Sequence, residues 1–267
     1  KKILEAMTCE DGTEVTYVRA DGARLMEFAP ATLKELTLNS CAAACTNNEK
    51  GVKCASFEYD SAVQECSLHS NSGQPFGSSV LARTDKGRAF FERVCLPPSL
   101  LCPTPYVFER FPQHTLQGHA LEVQRVPPGQ LSHCLALCLS ASHKLNMTCY
   151  SVMFFYESGE CILNRETRST AAALFAPVPE GEDVVVDYFE NNCHDVACSP
   201  SSATLHWLRS ETFSIGHDKD VIIGSMEEDD CRRLCLENGV AGERFPCRAF
   251  VYSSGKKECH LSADSGL

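Results

Sequence analysis

The sequence predicts an α+β fold made of three tandem disulfide-rich modules, each with one helix packed on an antiparallel sheet, and with the third module truncated. Two observations predict this fold. All 17 cysteines fall into one spaced series that occurs three times, and the same helical and strand patterns recur within it. The cysteine pair four positions apart returns with offsets of 93 and 97 residues. The series are Cys9, Cys41, Cys45, Cys54, Cys66 and Cys95; Cys102, Cys134, Cys138, Cys149, Cys161 and Cys193; and Cys198, Cys231, Cys235, Cys247 and Cys259.

Each module is predicted to open on a strand. An aromatic residue two positions before an arginine marks this strand at residues 17–19, 108–110 and 207–209. We expect this opening strand and the closing strand described below to be the first and last strands of each antiparallel sheet, contributed by the two ends of the repeat.

The cysteine pair of each module is predicted to lie in a helix, at residues 40–45, 134–138 and 231–235. Positions i and i+4 share one face of a helix. The residue at i+3 is alanine or leucine in every copy, so two cysteines and one apolar side chain point inward together.

A β-hairpin is predicted after each helix, because β-branched and aromatic residues flank a polar or glycine-containing turn. The second strand of the hairpin carries the sequence Glu-Cys-x-Leu in all three copies. A closing strand with an aromatic residue before a glutamate precedes the sixth cysteine, and its third version is expected beyond the end of the sequence. The hairpins span residues 54–68, 149–163 and 247–261, and the closing strands lie at 90–92 and 188–190.

The cysteines and the charges limit the possible locations and partners. Cytosolic reductants would keep so many thiols reduced, so we expect an extracellular protein, either secreted or the ectodomain of a membrane-anchored protein.

The net charge of −11 divides into −2, −5 and −4 over residues 1–95, 96–193 and 194–267. Nucleic acids and anionic lipids attract clustered Lys and Arg. An acidic balance in every copy therefore argues against nucleic acid and against direct membrane binding.

These features resemble the PAN domain family, which includes the apple domains of some blood protease precursors. The resemblance covers essentially the whole chain and rests on the six-cysteine order, the Cys-x-x-x-Cys helix, the Glu-Cys-x-Leu hairpin and the aromatic-Glu-x-x-Cys ending. We expect modules at residues 1–95, 102–193 and 198–267, joined by linkers at 96–101 and 194–197. Such short linkers predict module bodies that project from a row of junctions with little freedom between them.

The resemblance also implies a disulfide pattern, in which the first cysteine pairs with the sixth, the second with the fifth and the third with the fourth. The residues alone leave fifteen pairings open for six cysteines. In the third module the first cysteine, Cys198, is expected to be unpaired in this fragment. The implied pairs are Cys9–Cys95, Cys41–Cys66, Cys45–Cys54, Cys102–Cys193, Cys134–Cys161, Cys138–Cys149, Cys231–Cys259 and Cys235–Cys247.

No catalytic, metal or cofactor site is predicted. The sequence lacks the motifs of zinc proteases, nucleophile elbows, phosphate loops and dinucleotide sites. His119 and His217 follow glycine in predicted turns, and a surface role is favoured for them over a metal or proton role. Bridged cysteines have no thiolate to offer zinc. The acidic run at 227–230 lacks the alternation and the glycine of a calcium loop, so a solvated helix start is favoured.

Polar residues suggest two structural roles and one modification. Glu92 and Glu190 recur beside the closing aromatics, and we expect them to cap or to form ion pairs with the recurring Arg19 and Arg110. Asn146 begins the sequence Asn-Met-Thr, which is an acceptor for N-glycosylation in a secreted protein. We therefore predict a glycan at Asn146.

Two loops are predicted to vary most, at residues 70–88 and 165–182, and loops on a stapled scaffold commonly carry function. The second loop contains Leu174 and Phe175. The favoured interpretation is that both fold back over the sheet, and the alternative is that they contact a partner.

Together these features predict a non-catalytic extracellular protein-binding and adhesion array, with matrix or cell-surface proteins as partners. The likeness to PAN arrays of invertebrate extracellular-matrix and zona-pellucida-domain proteins favours a role in an apical extracellular matrix or in cell–matrix attachment. One alternative is the non-catalytic arm of a secreted serine protease or growth-factor precursor. Another is a glycan-binding lectin module.

Overall fold

The chain divides into two compact units, Lys1–Cys193 and His194–Leu267. The first unit contains the first two modules and the second unit contains the third module. The computed structural model describes residues 9–84, 88–102, 104–118, 120–127, 129–168, 170–179, 181–193, 221–237, 239–240, 243–244 and 247–262.

The first module has one helix, α1 (Leu38–Thr46), between two groups of strands. The helix begins after Thr37, whose side chain accepts a hydrogen bond from the backbone N–H of Ser40, as in a standard N-cap. The strands are β1 (Glu14–Asp21), β2 (Ala23–Leu25), β3 (Ala31–Lys34), β4 (Ser56–Asp60), β5 (Glu65–His69), β6 (Leu81–Arg83) and β7 (Arg88–Leu96).

The second module repeats this plan and adds a second short helix. The helix with the cysteine pair is α2 (Leu131–Leu139), and α3 (Ala141–Lys144) follows it directly. The strands are β8 (Phe108–Pro112), β9 (His114–Leu116), β10 (Ala120–Arg125), β11 (Ser151–Phe155), β12 (Glu160–Asn164), β13 (Phe175–Pro177) and β14 (Val186–Asn191).

In the second unit, α4 (Glu228–Glu237) packs against a three-stranded sheet in the order β15-β19-β18. The hairpin of β18 and β19 is the one that the sequence predicts, and its ladder begins with Ala249 opposite Ser262. The strands are β15 (Val221–Ile223), β16 (Gly239–Val240), β17 (Glu243–Arg244), β18 (Ala249–Ser253) and β19 (Glu258–Ser262).

The first two modules share one sheet of ten strands, in the order β10-β12-β11-β14-β8-β1-β7-β4-β5-β3. Inside each of these two modules the opening and closing strands pair antiparallel, β1 with β7 and β8 with β14. The modules join through a parallel ladder between β1 and β8, with Val18 opposite Phe108 and Arg19 opposite Glu109. The expectation of bodies projecting from a junction is therefore wrong for this pair, because strand pairing merges them into one body.

The helices α1 and α2 lie on opposite faces of this sheet. The hydroxyl of Tyr17 in β1 donates to the carbonyl of Ala42 in α1 over 3.1 Å, so the Tyr17 face of β1 carries α1. The next residue, Val18, points to the other face. It is buried in one core with Phe108 and with Leu135 of α2. The core beneath α2 therefore contains side chains of both modules.

Eight disulfides lie in the described part of the chain. In each of the first two modules the outer bridge joins the start of the module to its end, while two inner bridges tie the helix to the hairpin. The Cα–Cα distances run from 4.9 to 5.6 Å, within the range of ordinary bridges. The bridges are Cys9–Cys95, Cys41–Cys66, Cys45–Cys54, Cys102–Cys193, Cys134–Cys161, Cys138–Cys149, Cys231–Cys259 and Cys235–Cys247.

Candidate protein-binding surface

An exposed cluster of apolar side chains lies at the end of the β2–β6 ladder in the first module. Leu25 of β2 is buried in one cluster with Phe90, so the residue that follows it turns outward. Met26 is 63% exposed, and its backbone N–H donates to the carbonyl of Val80 over 3.0 Å. Val80 is 54% exposed and Phe28 is 100% exposed. Met26, Phe28 and Val80 are called the apolar patch below.

Polar residues beneath the apolar patch tie it to the sheet. The backbone N–H of Leu25 donates to Glu58 Oε1 over 2.8 Å, and the hydroxyl of Ser79 donates to Glu27 Oε2 over 2.6 Å. The buried His69 ring lies between the two carboxylates, 3.3 Å from Glu58 and 3.9 Å from Glu27. Burial opposes the ionisation of Glu58, but His69 and the Leu25 N–H outweigh it and lower the pKa of Glu58. Glu58 therefore stays charged and can interact with both the Leu25 N–H and the His69 ring.

The loop that leads to Val80 is compact. The N–H of Gly77 donates to the carbonyl of Gly73 over 2.9 Å. A Cβ atom at Gly77 would lie 2.1 Å from the carbonyl oxygen of Ser72, so the turn requires glycine there. The apolar patch is thus presented on backbone that its own hydrogen bonds hold in place.

The second predicted loop, residues 165–182, folds back over the second module. Its strand β13 pairs with β9. The Phe175 ring stacks on His114, with centroids 5.0 Å apart, and meets Tyr188 edge-on at 5.0 Å. The favoured interpretation is confirmed for Phe175, whereas Leu174 stays partly exposed.

Glu92 and Arg110, both predicted to form ion pairs, meet in the buried junction of the first two modules. Arg110 Nη1 lies 3.1 Å from Glu92 Oε2, and Arg110 Nε donates to Asp187 Oδ2 over 2.7 Å. Arg110 Nη2 donates to the carbonyl of Gln74 over 2.7 Å, and its guanidinium carbon lies 5.0 Å from the centroid of Phe76. A loop of the first module therefore closes over an arginine of the second.

The other two residues of that prediction have different partners. Glu190 Oε2 lies 3.6 Å from Arg168 Nε. Arg19 bonds to Asp21, and its Nη1 donates to the Tyr106 hydroxyl over 2.9 Å. Although Arg19 and Arg110 occupy corresponding positions of the repeat, the partners that the structure shows for them are not equivalent.

Burial governs the charges of the junction. It raises the pKa of Glu92 to about 7, although Arg110 acts in the opposite direction. Burial also disfavours the cation of Arg110, but Asp187, Tyr156 and Glu92 outweigh it and raise the pKa of Arg110. The junction therefore holds a permanent cation between two buried carboxyl groups.

The acidic run at 227–230 surrounds the start of α4, with Glu228, Asp229 and Asp230 in the first turn. Asp230 accepts a hydrogen bond from Arg233 over 2.7 Å. Negative side chains stabilise this end of a helix. Among the residues with described positions, no group of three or more His, Cys, Asp or Glu is placed to hold a metal ion.

Asn146 is exposed and follows α3, with a φ of 51°. Four other residues singled out by the sequence lie outside the described residues, namely His119, Cys198, Trp207 and His217. In the described ranges, no helix has both the length and the apolar character needed to cross a bilayer.

Comparison with known proteins identifies the family. The family model of the PAN domain matches residues 9–95, 102–193 and 198–267. The uncharacterized protein F52C9.5 of Caenorhabditis elegans is 32% identical over 231 residues, which cover 84% of this chain and 35% of that protein. The chain thus spans about a third of the length of this relative.

A solved structure is also similar to the chain. It is the solution structure of the two N-terminal apple domains of Toxoplasma gondii microneme protein 4, with 14% identity and a TM-score of 0.21. The match covers 64% of this chain and 84% of that chain. PAN and apple domains are non-catalytic modules that bind proteins or carbohydrates. With three copies matched over most of its length, the chain belongs to the PAN domain family.

Proposed function

We propose that the chain is a non-catalytic, extracellular protein-binding array and that the apolar patch is its docking site for matrix or cell-surface proteins. The observation that supports this proposal is the exposure of Met26, Phe28 and Val80 at one end of the β2–β6 ladder, where Met26 and Val80 are joined by a backbone hydrogen bond. Apolar side chains that are exposed as a cluster mark interaction sites, whereas single ones are ordinary on any surface. Aromatic residues and methionine are enriched in protein interfaces.

The setting of the patch suits binding to another protein. Side chains and loops that become ordered only on binding weaken the complex. Here Glu58 already accepts a hydrogen bond from the backbone N–H of Leu25, the residue before Met26, and the Ser79 hydroxyl donates to the side chain of Glu27. The backbone beside Met26 is therefore held before binding, and Phe28 can act as the anchor of the interface.

The place of action that we propose is an apical extracellular matrix or the attachment of cells to one. The disulfide content supports an oxidising compartment outside the cell. The likeness to PAN arrays of invertebrate matrix and zona-pellucida-domain proteins supports the matrix in particular. Phosphate-rich polymers and membrane surfaces fit less well, because the net charge is −11.

The test compares two charge substitutions of exposed apolar residues. Phe28→Asp lies in the apolar patch, whereas Val63→Asp changes a residue that is 63% exposed in the β4–β5 turn. Binding would be measured by interferometry against purified matrix proteins and cell-surface ectodomains, and on a glycan array. We expect saturable binding to a protein that survives its deglycosylation, weakens at least tenfold with Phe28→Asp and is unchanged with Val63→Asp.

Other results would contradict the proposal. Binding that appears only on the glycan array, or that disappears after deglycosylation of the partner, would identify a lectin instead. Equal binding by wild type and Phe28→Asp would remove the apolar patch as the docking site.

We also propose that Asn146 carries an N-linked glycan, because its side chain is exposed in an Asn-Met-Thr sequence. Protein from a secretory host should lose the mass of one glycan on treatment with an N-glycosidase. Asn146→Gln should abolish that loss. An unmodified Asn146 peptide in the mass spectrum of the secreted protein would refute the assignment.

A further inference from the structure

The ten-stranded sheet ends at β10, which pairs with β12 on one side and with no other strand among the residues described for the first unit. The register shifts between Ala120 and Glu122, and beyond this bulge the pairing with β12 is regular as far as Arg125. β10 contains neither lysine nor proline, although the bulge and the charged Glu122 and Arg125 are features that also protect edges. From Glu122 to Arg125 the strand is regular, and its outer side has backbone N–H and C=O groups that an added strand could pair with.

An apolar pocket of about 330 Å³ adjoins this edge. Ala120 of β10 lines it, together with Leu116, Met153, Phe155 and Ile162. Strand side chains alternate between the two faces. Since the neighbours of Met153 and Ile162 along their strands pack beneath α2, the pocket lies on the face away from α2.

The edge and the pocket together match an extended peptide. A strand added to β10 would send alternate side chains to the pocket face, where Val123 is 52% exposed opposite Ile162. The volume is near the lower end for ligand pockets, which suits one or two apolar side chains. In strand addition the backbone supplies affinity and such pockets supply specificity.

The net charge of the second module indicates the charge of the peptide that it would bind. Residues 96–193 carry a net charge of −5. Of the four arginines, Arg110 and Arg168 are enclosed beside carboxylates, and Arg125 lies 3.5 Å from Glu160. Arg165 and Lys144 are exposed, but with ten acidic against five basic residues the module remains negative overall. It attracts a positive segment and repels a second copy of this chain, whose net charge is −11.

We propose that β10 and the adjoining pocket bind an extended, positively charged segment of another protein, which pairs with β10 as an additional strand and places an apolar side chain in the pocket. This site is separate from the apolar patch of the first module. Its partner is a peptide segment, whereas the patch fits a folded surface.

The probe is a random 12-residue peptide library displayed on phage and selected on the 267-residue chain. A fluorescent synthetic peptide with the selected consensus would then be titrated by anisotropy. We expect apolar residues at alternate positions with Lys or Arg between them, and affinity that falls as salt rises, because screening weakens the attraction.

Three variants measure separately how the charge of the β10 edge and the pocket contribute to peptide affinity. Val123→Lys and Val123→Glu remove the same apolar side chain but give the edge opposite charges. We expect at least a tenfold loss of peptide affinity with Val123→Lys and less than a threefold loss with Val123→Glu. Ala120→Trp fills the pocket from its rim and should also weaken binding at least tenfold. Circular dichroism of each variant verifies the fold.

Several outcomes would overturn the proposal. A consensus without alternation would do so, as would equal losses with Val123→Lys and Val123→Glu, or unchanged binding by Ala120→Trp. Phe28→Asp serves as the matched control. Phe28 lies in the apolar patch of the first module, outside this site, so its substitution should leave the peptide affinity unchanged. Failure of the patch experiment and failure of this one are therefore distinguishable.

Discussion

At the scale of single residues, Arg110 has the largest predicted effect on stability. Replacing it with leucine leaves Glu92 and Asp187 buried without their cation. Breaking a buried ion pair from one side costs about 3–5 kcal/mol. We expect Arg110→Leu to lower the free energy of urea unfolding by that amount, measured by circular dichroism. The control is Arg125→Leu, whose side chain is 79% exposed and which should cost at most about 1 kcal/mol. Equal effects of the two substitutions would contradict this account of the junction.

Because the pKa of Glu92 is raised, we predict that the free energy of unfolding falls as pH rises. Burial raises its pKa from the ordinary 4.5 to about 7. Between these pH values the folded protein binds a proton that the unfolded chain has released, so the free energy of unfolding falls as pH rises. The contribution is fully present below pH 4.5 and is lost above pH 7. At about 1.4 kcal/mol per pKa unit, the loss is roughly 3 kcal/mol. Urea unfolding between pH 4 and 8 should show this fall, and Glu92→Gln should flatten it. Identical profiles for wild type and Glu92→Gln would refute the assignment.

At the scale of elements, local patterns predict the helices and hairpins well. The cysteine pairs fall inside α1, α2 and α4, and each Glu-Cys-x-Leu segment falls in the second strand of a hairpin. These elements depend on neighbours a few residues apart, so periodicity and turn residues reveal them. The apolar patch could not be found this way. Met26 and Val80 are brought together by the β2–β6 ladder, and that ladder joins segments more than fifty residues apart.

The junction shows the same limit. The sequence predicts ion pairs among Glu92, Glu190, Arg19 and Arg110, but it does not say which glutamate meets which arginine. The meeting of Glu92 and Arg110 depends on the parallel β1–β8 ladder, in which Val18 lies opposite Phe108. No repeat or motif encodes pairing between modules. The one local signal is the short linker at 96–101, which keeps the two bodies close without saying how they join.

The outer and inner disulfides of a module are predicted to contribute unequally to stability. In the chain-entropy model, a bridge contributes more as the loop that it closes lengthens. The outer Cys9–Cys95 bridge spans 86 residues and the inner Cys45–Cys54 bridge spans 9. Replacing both cysteines with serine should cost about 4–5 kcal/mol for the outer bridge and about 2–3 kcal/mol for the inner one, measured by urea unfolding. The pairing itself is tested by mass spectrometry of peptides from unreduced protein. Links between modules would contradict it.

At the scale of the molecule, the shared sheet makes the first two modules one structural unit. The core beneath α2 contains Val18, Val94 and Leu96 from the first module. Separating the modules would expose these side chains and, together with them, the buried ion pairs of Arg110 with Glu92 and Asp187. The apolar patch and the β10 edge are therefore carried by the same rigid body, and a partner with two contacts could bind both without ordering a linker.

This rigidity can be measured in solution. Backbone residual dipolar couplings from β1–β7 and from β8–β14 should fit a single alignment tensor, because the β1–β8 ladder and the common core fix the two modules together. Val18→Asp places a charge in that core, where Val18 is buried opposite Phe108, and burying an unpaired charge is strongly unfavourable. We expect this variant to require two different tensors while each module keeps its own amide pattern. Val63→Asp, at an exposed turn, should keep the single tensor. Two independent tensors for the wild-type chain would show that the modules move separately and that the ten-stranded sheet does not persist in solution.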